Sequence, residues 1–169
     1  MVDLPEDVGV VVGGLRWLPN DQGIGYLVER GRLDRVVPSR RAGEHLVDEA
    51  RRHLVSSQML AGTDDMSMAF VAAYDAARKA LAAVLAVQGL RARGGEGGHT
   101  VMLDAVRPQF PDQRRELQRF DWLRTIRNNI EYPDLSTPAV TIVDVTQAHA
   151  AATQIVDIAG RFVGAYTVC

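Results

Sequence analysis

The chain has 169 residues, 47% hydrophobic and 24% charged, the size and composition of one globular domain with a single core. A net charge of −2 excludes a generally cationic protein that coats nucleic acid, so any such contact must come from a local patch. The single cysteine, Cys169, excludes an internal disulfide and a cysteine metal cluster.

Asp3, Glu6 and Asp7 stand where a signal peptide carries basic residues, and the apolar run Val8–Val12 stops at Gly13 and Gly14. No stretch approaches the roughly eighteen apolar residues of a membrane helix. A cytoplasmic location is expected. Residues 1–38 read as an arm packed on the main body: a Gly-broken β-like segment, a turn at Pro19-Asn-Asp-Gln-Gly, and a short helix over 24–30.

Residues 39–169 read as an all-α, up-and-down bundle of four or five helices. Ser39 follows Pro38 and caps a first helix over about 40–60, with Leu46, Val47, Ala50 and Leu54 at helical spacing. Gly62-Thr-Asp-Asp ends it and caps the next. That helix, about 65–91, is apolar nearly all round, from Ala69 and Phe70 to Val84 and Leu85, which predicts a central position. Asp75, Arg78 and Lys79 form its one polar stripe. Gly94-Gly-Glu-Gly-Gly reads as a linker, because no strand precedes it and no Gly-Lys-Ser/Thr follows. A short third helix spans about 101–106, a fourth runs from Pro111 or Asp112 to Tyr132, and a fifth from Asp144 or Thr146 to Tyr166.

The fourth helix carries the chemistry. At about 100° per residue, Leu117, Phe120, Leu123, Ile126 and Ile130 make one apolar arc, and Arg127 falls inside it. An Arg facing a core is costly unless paired, and Glu131, four residues on, is the partner at reach. The bland interpretation is a structural Arg–Glu pair at a bundle edge. The sharper one is a groove lined by Arg127, Asn128, Glu131 and Tyr132, with Arg124, Asp75 and Arg78 as further binding candidates.

The stretch Ala73-Tyr-Asp-Ala-Ala-Arg-Lys-Ala-Leu, the order of helices and the segment Leu123-Arg-Thr-Ile-Arg-Asn-Asn-Ile-Glu-Tyr-Pro resemble the HEPN superfamily (higher eukaryotes and prokaryotes nucleotide-binding domain), more narrowly small actinobacterial HEPN-domain proteins. The resemblance covers about 39–168. It implies a homodimer of helical bundles that binds RNA or nucleotide in a groove at the dimer interface. It also implies a cognate partner, such as a nucleotidyltransferase-type antitoxin, in a toxin–antitoxin or defence system. Active relatives cut RNA without metal or cofactor, using an Arg and a His four to six residues apart on the penultimate long helix.

Arg127 matches the family's Arg and Asn128 the polar residue after it, but Tyr132 stands where the His is expected. A Tyr with a pKa of about 10 is a poor base, and Glu131 beside a guanidinium is a weak one. The catalytic candidates are therefore Arg127, Glu131 and Tyr132 in a degenerate motif, and the alternative is a non-catalytic helical module that binds a protein partner. Arg40–His45 and Arg93–His99 also fit the spacing, but about one chance match is expected and neither lies on the matching helix. His99 opens the third helix and stays open as a residue that could reach the groove. His45 and His53 are eight apart without an acidic companion, so no zinc site is expected. Arg114, Arg115 and Arg119 share their helix with Asp112 and Glu116 and read as a solvated face.

Overall fold

The computed structural model describes residues 10–12, 15–17, 22–94 and 98–166, with side chains from residue 23 onward. Of the expected turn at 19–23, residues 19–21 lie outside the described residues and Gln22 and Gly23 instead begin α1; the middle of the glycine linker, 95–97, also lies outside them. The order of elements is β1 (Val10–Val12), β2 (Leu15–Trp17), α1 (Gln22–Glu29), β3 (Leu33–Arg35), α2 (Arg40–Leu60), α3 (Met66–Val87), β4 (Leu90–Ala92), α4 (Gly98–Val106), α5 (Arg114–Glu131) and α6 (Ile142–Ala165). Two 3-10 turns, Arg107–Gln109 and Pro111–Gln113, lead into α5. Helices hold more than half of the described residues, and the fold is an all-α bundle.

The caps explain the boundaries. The Ser39 hydroxyl accepts from the Ala42 amide at the start of α2, and Asp65 accepts from the Met68 amide at the start of α3. Thr141 and Asp144 bond reciprocally in a capping box, so α6 begins two to four residues earlier than the apolar pattern suggested. Helix α5 ends at Glu131, where Tyr132 is pushed out of helical geometry by Pro133.

Helix α3 is the axis of the bundle, packed against α2, α6, α4, α5 and β4. Twelve of its residues are buried, from Ala69 and Phe70 to Val87, which is why a nearly all-round apolar sequence is stable there. Ser57 of α2 is buried and satisfies its hydroxyl by donating to the Ala69 carbonyl at 2.8 Å. Helix α3 stops at Val87 rather than continuing to 91, because Gly89 adopts a positive φ of 73°. The chain then forms β4, which pairs antiparallel with β3 in the register Leu33↔Ala92, Asp34↔Arg91 and Arg35↔Leu90. This small ladder, absent from the sequence expectation, ties the segment before Ser39 to the bundle. In the arm, β1 and β2 pair antiparallel with Val10 opposite Trp17.

Candidate functional site

Helices α3 and α5 meet along an aromatic seam. Phe70 packs edge-on against Trp122 with ring centroids 5.5 Å apart, and Tyr74 stacks on Phe120 at 5.6 Å. On α3 the positions Phe70, Tyr74 and Arg78 follow one face at four-residue spacing; on α5, Phe120, Arg124 and Arg127 share a face at steps of four and three. The apolar seam therefore runs directly into a group of three arginines. Tyr74 lies where the seam changes character, with the Arg127 guanidinium 5.7 Å from its ring centre.

The start of α4 closes this group. A Cβ at Gly98 would sit 2.6 Å from the Arg93 carbonyl oxygen, so only glycine lets α4 begin this close to the chain leaving β4. That approach brings the ring of His99 to Tyr74, whose hydroxyl hydrogen-bonds His99 Nδ1. Burial raises the Tyr74 phenol to about 12, against a smaller lowering by nearby arginines, so it keeps its proton. Burial also lowers the His99 pKa, reinforced by the positive charges of Arg78, Arg127 and Arg124. The result is a neutral imidazole among three guanidinium groups.

Each arginine has a different tether. Arg78 is gripped by Asp75 at 2.5 and 2.8 Å, and Asp75 also takes His53 Nδ1 at 2.7 Å and Lys79 at 3.9 Å. Arg127 pairs with Glu131 at 2.5 Å, with side chains 27% and 43% exposed. Arg124 has only Asp121, 3.9 Å away, and among the described residues its Nε is buried without a hydrogen-bond partner. The Arg124 side chain is nevertheless 31% exposed, so its guanidinium is the least tethered of the three and can meet an acceptor such as a phosphate oxygen.

Of the residues singled out from sequence, Arg78, Arg124 and Arg127 come together here, with Asp75 and Glu131 as the carboxylates that hold two of them. Asn128 is half-buried on α5, with its carbonyl accepting from the Tyr132 amide. Tyr132 caps α5 with its side chain 76% exposed, so it does not join Tyr74 and His99. The sequence pattern does not single out Tyr74, and it leaves the place of His99 open. The four-residue series Phe70, Tyr74, Arg78 was the available signal for the first; for the second, only the Arg93–His99 spacing pointed to it. Among the described residues no group of three His, Cys, Asp or Glu side chains is placed to hold a metal ion. Nor is any described helix long and apolar enough to cross a membrane.

The fold is a compact all-α bundle with an arginine cluster and a His side chain gathered where α3, α4 and α5 meet. The particular family follows from comparison with known proteins: residues 44–163 match the family model described as HEPN domain, and the chain belongs to that family. Comparison with curated proteins and with solved structures gives no match.

Proposed function

We propose that this HEPN-domain protein binds RNA at the Arg78–Arg124–Arg127 cluster and cleaves it without a metal ion, with His99 in the role that the family assigns to a His on the helix of Arg127. The observation that carries this reading is the hydrogen-bonded Tyr74–His99 pair among three arginines. The neutral imidazole is suited to take a proton near pH 7. Tyr74 accepts from Nδ1–H and leaves Nε2 free as the base.

In this mechanism Nε2 takes the proton of the RNA 2′-hydroxyl, and the 2′-oxygen forms a bond to the adjacent phosphorus. The bond from phosphorus to the 5′-oxygen breaks, that oxygen gains a proton from water, and the products end in a 2′,3′-cyclic phosphate and a 5′-hydroxyl. The three guanidinium groups hold the non-bridging oxygens as charge builds on them. Asp75 and Glu131 keep two of these groups in place.

The same reading pairs two copies around a twofold axis near α5, so that two Arg127 groups approach one groove. HEPN domains commonly dimerise and bind RNA, which supports it. By the family resemblance, the chain acts in a toxin–antitoxin or defence system against a nucleotidyltransferase-type partner. The test is incubation of the purified protein with labelled RNA in the presence of EDTA. Cleavage is expected from the parent, with a loss of about 100-fold or more in His99→Ala. Cleavage that persists unchanged in folded His99→Ala refutes the assignment.

A second reading, a non-catalytic module that binds a protein partner, is favoured by the exposed apolar side chains of Tyr132, Leu135, Ile142 and Val143 around the α5–α6 connection. It predicts no cleavage by the parent and loss of partner binding when Leu135 and Val143 are replaced by Asp.

A further inference from the structure

Arg78 and His99 also form one end of a separate space. A cavity of about 380 Å³ lies between α2, α3, β4 and α4. Along α3 its wall runs through Arg78, Ala82, Leu85 and Ala86, one helical face about 12 Å long at 1.5 Å per residue. Leu46 of α2 and Met102 of α4 complete the aliphatic surface. The Ser39 amide donates to the Ala86 carbonyl at 3.0 Å, which sets the start of α2 beside the end of α3. The two helices therefore enclose the aliphatic length together, and Arg78 stands at its opposite end.

Among the described lining residues, charge is confined to that end and to the mouth. Arg91 and Arg93 line the opening with side chains 70% and 61% exposed, and both reach one carboxylate, Asp34, at 3.5 and 2.7 Å. Among the described residues, two guanidinium groups stand against one carboxylate at the mouth. The Ser39 hydroxyl is engaged by the Ala42 amide. A nucleobase is a poor occupant, because its ring nitrogens and carbonyls would face Leu46, Ala82, Leu85 and Met102 unpaired. An alkyl chain meets no such penalty.

We infer that this cavity binds a medium-chain anionic amphiphile, with its tail along Ala82, Leu85 and Ala86 and its carboxylate or phosphate head at Arg78. Binding engages Arg78 and His99, so the ligand competes with RNA. The competition rests on the nuclease reading, whereas binding itself does not.

The experiment is calorimetric titration of the full chain with decanoate, decyl phosphate and decanol. Either anion should bind saturably below about 1 mM, and the alcohol at least about tenfold more weakly, the effect of one lost charge-assisted contact. The tighter of the two anions identifies the head group. Arg78→Gln should weaken the anion about tenfold, and Ala82→Phe should abolish its binding by filling the cavity. Where circular dichroism shows Ala82→Phe unfolded, Arg78→Gln and the alcohol decide. Equal binding of decanol and decanoate, retained binding by folded Ala82→Phe, or binding of adenosine monophosphate without that of either anion overturns the inference. An anion that binds a chain unable to cut RNA leaves this site standing and removes the nuclease reading. RNA cleavage by a chain that binds neither anion does the reverse.

Discussion

Arg127 and Glu131 form a pair that four-residue spacing on a helix makes available. Its energetic weight follows from exposure. Glu131 is 43% exposed, so the pair belongs with surface ion pairs rather than buried ones, and water screens the carboxylate left behind when its partner is removed. Arg127→Ala is therefore expected to cost under about 1 kcal/mol in urea unfolding. The same change should lower RNA affinity at least about tenfold, since it removes a charge-assisted phosphate contact. A stability loss near 3 kcal/mol would instead mark the buried, structural pair of the bland interpretation. Tyr132→His restores the family's spacing in sequence but places the imidazole on a position that is 76% exposed. It should leave the cleavage rate within about threefold of the parent, because proton transfer requires a base within hydrogen-bond reach of the substrate proton. A large gain in cleavage by this variant would move the base from His99 to position 132.

Glycines separate the helices that must touch from those with room to spare. Gly43 of α2 is buried against α3 and α6, and a Cβ there would meet the Val87 side chain at 2.5 Å and the Ala83 carbonyl oxygen at 3.2 Å. Gly43→Ala therefore pushes α2 off its neighbours and should cost about 1–3 kcal/mol despite the better helix propensity of alanine. Gly160 of α6 faces the Arg51 guanidinium at 2.9 Å, the free end of a side chain that can swing aside. Gly160→Ala should raise stability by up to about 1 kcal/mol. Thermal unfolding of the two variants in parallel checks both, and equal losses would refute the contrast. At this scale the sequence was informative wherever a cap or a breaker stood, as at Ser39, Asp65 and Pro133. It was silent on β3 and β4, because two three-residue strands far apart in the chain show no periodicity of their own.

In the folded molecule His99 binds a proton less readily than an ordinary imidazole, whose pKa is 6.5, because it is buried and faces Arg78, Arg127 and Arg124. Below that value the unfolded chain holds more protons than the folded one. His99 therefore contributes its full share of stability above about pH 6.5 and loses it as the pH falls through that point toward the lower folded value. His99→Gln should flatten the decline of melting temperature between neutral and mildly acidic pH; an unchanged decline would show that other groups govern it. The rate of RNA cleavage should fall on the acid side with its midpoint below 6.5, since only the neutral ring accepts the 2′-hydroxyl proton. Multi-angle light scattering at micromolar concentration is expected to report twice the chain mass of 18.5 kDa, and a monomer would refute the twofold pairing near α5.

Local interactions are what the sequence by itself determined. Helical periodicity, caps and the apolar circumference of 69–85 specify an all-α bundle with α3 inside, and Arg127 stands out as a charge within an apolar arc. These signals operate over one to four residues, so they are written in consecutive letters. The meeting of Tyr74 with His99, the convergence of Arg78 with Arg124 and Arg127, and the outward position of Tyr132 were decided only by tertiary structure. They depend on how closely α4 can fold back at Gly98 and on the angle at which α5 crosses α3 along Phe70, Tyr74, Phe120 and Trp122. Those are properties of packed surfaces, and no spacing within a single helix encodes them.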